Sequence, residues 1–169
     1  GRLLSTAGGV LLLTALLPGS TDGYSAVVFY LTVYSAASLG AFAVITSLSN
    51  ALGEPQELAA WRGLGYRYPV RGAALSACLL SLAGMPLTGG FIGKFVLFHA
   101  VIKGGFTGLA VVAILASLIS FAYYLRVVLV LYSSEEAQPL HPGASLEHAV
   151  LLVCVAAILI LGIYPGPLL

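Results

Sequence analysis

The segment Ala83-Gly84-Met85-Pro86-Leu87-Thr88-Gly89-Gly90-Phe91-Ile92-Gly93-Lys94-Phe95 sets four glycines, a proline and a lysine inside an apolar run that extends from Gly72 to Ile102. Lys94 is the one charged side chain deep within an apolar stretch of this chain. A lysine at the centre of a membrane helix costs roughly 2.5 to 3.5 kcal/mol on insertion scales, so its presence calls for a reason. Pro86 has no backbone N–H and its ring clashes with the preceding turn, while Gly84, Gly89, Gly90 and Gly93 add backbone freedom. The segment therefore predicts a helix interrupted between about Gly84 and Gly93. Length points the same way: as one helix the run would reach roughly 46 Å, well beyond a hydrocarbon core of about 30 Å. Freed backbone groups at that depth are tolerated only when buried in protein or lining a water-filled cavity, so a lysine beside a break points to an ion or proton path. Two simpler readings stay open: Lys94 snorkels toward an interface near Lys103, or the glycines serve close helix packing.

The rest of the chain fits a membrane setting. Of 169 residues 60% are hydrophobic and 8% charged, against roughly 25% charged in ordinary soluble domains, which excludes a soluble globular protein. A formal charge of +1 leaves no basic surface for nucleic acid. Five apolar runs stand out, at about 3–17, 24–49, 72–102, 106–132 and 146–164. They are continuously apolar rather than alternating, which predicts an all-α polytopic membrane bundle of five transmembrane helices with the third broken in mid-membrane. The first run is short and opens without a start methionine, as expected of a span cut by the beginning of the chain. Cys78 and Cys154 lie inside apolar runs, where a thiol behaves as a small hydrophobe.

Arg2, Arg62, Arg67, Arg71 and Arg126 fall at the ends of spans facing one side, and Lys103 on the other. The positive-inside rule then makes the 50–71 and 133–145 connections cytoplasmic. Arg126 with Tyr123 and Tyr124, and Trp61-Arg62-Gly63-Leu64-Gly65-Tyr66-Arg67-Tyr68-Pro69, read as interfacial anchors, with Pro69 pre-set for a first helical turn.

Several polar residues are candidates to serve Lys94. Ser117, Ser120 and Tyr124 fall on one helical stripe of the fourth span, and such a stripe can hold waters. Tyr34, Ser35, Ser38, Thr46 and Ser47 on the second span, and Ser76, Ser81 and Thr88 on the third, are read more simply as bonding their own backbone or joining helices. His99 follows Lys94 by five residues, about 140° around the helix, and is either a relay member or a hydrogen-bonded packing residue. The sequence carries no phosphate loop, HExxH, CxxC or intramembrane carboxylate, so no catalytic residue, metal site or cofactor is expected in this chain alone.

Leu82 to Phe95, the run Tyr123-Tyr124-Leu125-Arg126, the stretch from Tyr34 to Val44 and the Trp61-Arg62-Gly63-Leu64 loop together resemble the N subunits of proton-pumping NADH:quinone oxidoreductase, respiratory complex I. The resemblance is strong through Tyr132 and fades in the last span. It implies that the chain corresponds to helices ten to fourteen of an antiporter-like membrane subunit in the bacterial plasma membrane. Lys94 then falls on the family's intramembrane lysine in the broken helix twelve, where it exchanges protons with an aqueous half-channel. NADH, flavin, iron–sulfur clusters and quinone are expected in partner subunits. The expected partners are other membrane subunits, lipid, protons and water. Mrp-type cation/proton antiporter and membrane-bound hydrogenase subunits share the broken helix, and a non-conducting scaffold is the contrasting class. The topology has a direct check: cysteines introduced at Arg62 and Lys103 are expected to label from opposite faces of the membrane, and labelling from the same face would refute it.

Overall fold

The computed structural model describes residues 21–52, 58–133 and 145–163. They form α1 (Thr21–Leu52), a 3-10 turn at Leu58–Trp61, the single-turn α2 (Leu64–Arg67), α3 (Pro69–Ala83), α4 (Gly89–Lys103), α5 (Thr107–Leu131) and α6 (Ser145–Ile163). No strand occurs among the described residues. The expected span at 3–17, together with Arg2, Glu54, Glu57, Glu135, Glu136 and His141, lies outside them. The apolar runs at 24–49, 106–132 and 146–164 fall on α1, α5 and α6. Gly23–Ser49 and Thr107–Leu131 are long and apolar enough to cross a bilayer.

The third apolar run is two helices. Pro69 occupies the first turn of α3, where its missing N–H costs nothing and its fixed φ suits the helix. The interruption occupies 84–88, a narrower stretch than the composition suggests, and Gly89, Gly90 and Gly93 belong to α4 rather than to the break. Each half is 15 residues, about 22 Å, too short to cross a hydrocarbon core alone. Gly84 ends α3 at φ +83°, in the left-handed region. Leu87 takes φ +73° and is 78% exposed; a branched side chain in that region costs on the order of 1 to 3 kcal/mol.

The long helix α1 packs against α3, α4 and α6, while α5 packs mainly on α3. Two apolar clusters result. Ala37, Ala41, Val44 and Leu48 of α1 meet Leu75, Cys78 and Leu79 of α3 in one. Ala26 and Val27 of α1 meet Leu97, Ala100 and Val101 of α4 and Ala110 and Ala113 of α5 in the other. The helix ends that flank the break, at Ser81, Leu82, Gly90 and Lys94, lie at the seam between them beside Tyr30 and Tyr34 of α1. Much of the outer surface is apolar: Val112, Leu115, Leu118 and Ile119 of α5 are exposed, as suits lipid or neighbouring membrane subunits.

Glycine lets the two half-helices approach. A Cβ at Gly90 would run into the backbone carbonyl of Ser81, and one at Gly162 would meet the carbonyl oxygen of Leu87 at 2.6 Å and the amide of Gly89 at 2.7 Å. These obstacles are backbone and cannot rotate away. Gly90→Ala is therefore expected to lower the thermal midpoint of the purified assembly, by overpacking of about 1 to 3 kcal/mol. Gly108→Ala, whose Cβ would meet nothing within 4 Å, serves as the neutral control.

Candidate functional site

The last four carbonyls of an α-helix have no partner within the helix. At the end of α3 the backbone serves two of them. Gly84 N–H donates to Ser81 O at 2.9 Å, and Met85 N–H donates to Leu80 O at 3.0 Å. This six-to-one and five-to-two pair is the Schellman arrangement. The remaining two carbonyls belong to Leu82 and Ala83, and Lys94 Nζ donates to both, each at 3.0 Å. The ammonium from α4 thus completes the C-terminal cap of α3 across the break. Its charge sits at the negative end of the α3 dipole, where a cation is favoured.

The opposite helix end is served in return. Gly90 N–H, one of the unpaired donors of the first turn of α4, donates to Ser81 Oγ at 3.3 Å. Phe91 N–H donates to Thr88 O at 3.1 Å, and Thr88 Oγ1 turns back to donate to Met85 O at 2.6 Å. Gly84 leaves room for the lysine stem: a Cβ there would lie 3.1 Å from Lys94 Cδ and 3.2 Å from Nζ.

Beside the ammonium is a small chamber of about 10 Å³, bounded by Tyr30 and Tyr34 of α1, Ser81 and Leu82 of α3, and Gly90 and Lys94 of α4. That volume is about the least that holds a single water. Tyr30 and Tyr34 stack one turn apart, their ring centroids 5.8 Å from each other.

The other candidates from the sequence are placed less centrally. Tyr124 is half-buried and lines a larger groove that also contains Tyr34. Ser117 and Ser120 are half-buried, and Ser120 Oγ donates to Ala116 O on its own helix at 3.0 Å. Neither serine borders the chamber. His99 is exposed on α4 and does not border it either. Ser76 Oγ likewise donates to its own backbone, at Gly72 O. Tyr30 was invisible as a candidate, because its only sequence signal is the i, i+4 spacing to Tyr34, which any apolar helix face can show. Among the described residues no group of three or more His, Cys, Asp or Glu side chains converges as metal ligands would.

The family model for the NADH:quinone oxidoreductase/Mrp antiporter transmembrane region matches residues 5–120. The chain belongs to this family. NADH-quinone oxidoreductase subunit N of Syntrophotalea carbinolica is 45% identical over 157 residues, covering 92% of this chain and 34% of the relative. The same subunit of Geotalea uraniireducens is 44% identical over 160 residues, covering 94% of this chain and 34% of the relative. The chain therefore spans about a third of the length of these curated relatives. A chain in the solved respiratory complex I from Thermus thermophilus with bound NADH superposes with a TM-score of 0.82 at 25% identity, covering 98% of this chain and 36% of that one. A chain of the Mrp complex from a Dietzia species gives 0.75 at 21% identity, covering 88% and 36%, a likeness of fold. With this family the chain is a multi-pass membrane protein.

The cap yields a measurable consequence. Lys94→Met leaves the carbonyls of Leu82 and Ala83 without donors, at about 1 to 3 kcal/mol for each buried group, whereas Lys94→Arg retains charge and N–H donors. Amide hydrogen exchange at Gly84 and Met85 is expected to speed up in the methionine variant and to stay slow in the arginine variant.

Proposed function

We propose that this chain is the C-terminal part, over residues 1–169, of one antiporter-like domain: an N-type proton-translocating membrane subunit of NADH:quinone oxidoreductase. Lys94 is the residue that takes up and releases the proton. The observation that carries the reading is the double hydrogen bond of the Lys94 ammonium to the end of α3, beside a chamber of water size. The names of the relatives at 44 to 45% identity favour the N subunit over an Mrp-type subunit, for which the likeness is one of fold.

The chemistry follows from the valence of the ammonium. Of its three N–H groups two are given to Leu82 O and Ala83 O, which leaves one for the chamber. Release of that proton leaves a neutral amine, with two N–H groups and a lone pair, and removes the charge that offset the α3 dipole. The neutral amine can still donate to both carbonyls, so releasing the proton weakens the hold on the break through the lost charge. Gly84 and the loop to Thr88 supply the backbone that shifts when the charge goes, so a rearrangement driven elsewhere in the assembly acts back on the lysine. Bond-making chemistry, with NADH, flavin, iron–sulfur clusters and quinone, belongs to partner subunits. The assembly sits in the bacterial plasma membrane, with the arginine-rich 50–71 connection toward the cytoplasm.

The test uses the full-length subunit in its assembled complex, in sealed vesicles. Lys94→Ala is expected to lose most proton pumping, with coupled quinone reduction also reduced. Lys94→Arg is expected to assemble and still fail to substitute fully, because a guanidinium does not give up its proton. Wild-type pumping by an assembled Lys94→Ala complex would leave Lys94 a structural cap and the chain a scaffold. Copurification with Mrp or hydrogenase subunits would move the assignment to those assemblies.

A further inference from the structure

The chamber beside Lys94 and the larger groove share two walls, the side chain of Tyr34 and Leu82. The groove has a volume of about 330 Å³ and runs between α1, α3 and α5. Ile45 of α1, Trp61 of the 3-10 turn and Val127 of α5 mark its far end, toward the 58–71 connection. Along α1 it extends from Tyr34 to Ile45, about 16 Å at the helical rise. It thus reaches from the connection to the depth of the break. Its polar lining is Tyr34, Ser38, Trp61, Tyr123 and Tyr124.

We infer that Tyr34 is the gate between Lys94 and this groove, and that its hydroxyl is the group that hands the proton across. The inference rests on the reading of Lys94 given above. Of the two shared walls, Leu82 presents a hydrocarbon side chain, so Tyr34 alone of the pair carries a group that can both accept and donate a proton. Its ring is stacked on Tyr30, which holds the wall in place, and the residue is 47% exposed. Tyr30 and Tyr34 border the chamber, and Tyr34 and Tyr124 line the groove.

The transfer balances without any other reactant. A protonated water in the groove gives its excess proton to Tyr34 Oη, and the original hydroxyl proton of Tyr34 leaves on the chamber side to the water there. That water passes a proton to the lone pair of the Lys94 amine, forming the third N–H bond. Tyr34 is a neutral phenol before and after, Lys94 ends as the ammonium, and one proton has crossed the wall from the cytoplasmic side. Rotation of the hydroxyl about its C–O bond resets the gate.

Complete complex in proteoliposomes distinguishes the outcomes. Tyr34→Phe keeps the stacked ring and removes only the hydroxyl, so the rate of proton pumping is expected to fall about a hundredfold, the low end of what loss of a proton-transfer group costs. NADH oxidation by an artificial acceptor is expected to remain unchanged. Tyr34→Ala opens the wall, and the proton gradient is expected to decay faster than in the wild type. Normal pumping by Tyr34→Phe, in a preparation where Lys94→Ala has lost pumping, overturns the gate and leaves the role of Lys94 intact. Normal pumping by Lys94→Ala removes the reading on which the gate depends. Should Tyr34→Ala fail to assemble, Tyr34→Phe decides alone.

Discussion

A helix that ends in the interior of an apolar bundle leaves carbonyls with no water to bond, and the architecture around residues 80–94 is a response to that constraint. The turn at Gly84 and Met85 satisfies two of these carbonyls, and the Lys94 ammonium satisfies the other two. A neutral donor on α4 could cap the same carbonyls, but it would not oppose the α3 dipole with a full charge. The features nearby follow from fitting that side chain. Gly84 has no Cβ in the path of the lysine stem, Gly90 allows α4 to lie against the Ser81 carbonyl, and Gly162 lets α6 close over the loop.

The same arrangement divides the bundle. One apolar cluster surrounds α3 and the other surrounds α4, with α1 running through both. At the seam Tyr30, Tyr34, Ser81 and Lys94 border the chamber. Packing on either side is dense enough to hold the two half-helices in register while the five residues between them carry the conformational exceptions at Gly84 and Leu87. Strain at Leu87 is borne on an exposed side chain beside backbone that Gly162 approaches closely. The irregular segment at the Lys94 cap is thus short and braced by regular ones.

Much of this was legible before any coordinates. Continuous apolar runs gave the helices, because length and periodicity report burial along a helix. Pro86 and Gly84 located the interruption, and the insertion cost of a lysine marked Lys94 as the residue needing an explanation. The partners of Lys94 were not legible. They are backbone carbonyls at Leu82 and Ala83, and a carbonyl has the same letter code whether it is paired or orphaned. Gly89, Gly90 and Gly93 read as break residues because glycine signals both freedom and closeness; the structure uses them for closeness within α4. Ser117, Ser120 and Tyr124 share one helical stripe of α5, yet which helix faces the chamber depends on tertiary placement, and Tyr30 and Tyr34 of α1 with Ser81 of α3 line it.

The shortness of α3 and α4 also bears on how such a protein is made. Each half reaches only about 22 Å, and each ends in polar groups that hydrocarbon cannot satisfy. Neither half is therefore a competent span for lateral release into lipid. As one unit, the two halves satisfy these groups through the Lys94 bonds to Leu82 and Ala83. The preceding α1, which contacts both halves, is synthesised first and offers the surface on which that hairpin-free pair can settle. Biogenesis of this segment is in that sense templated: the order of helices along the chain puts the mould ahead of the piece it shapes.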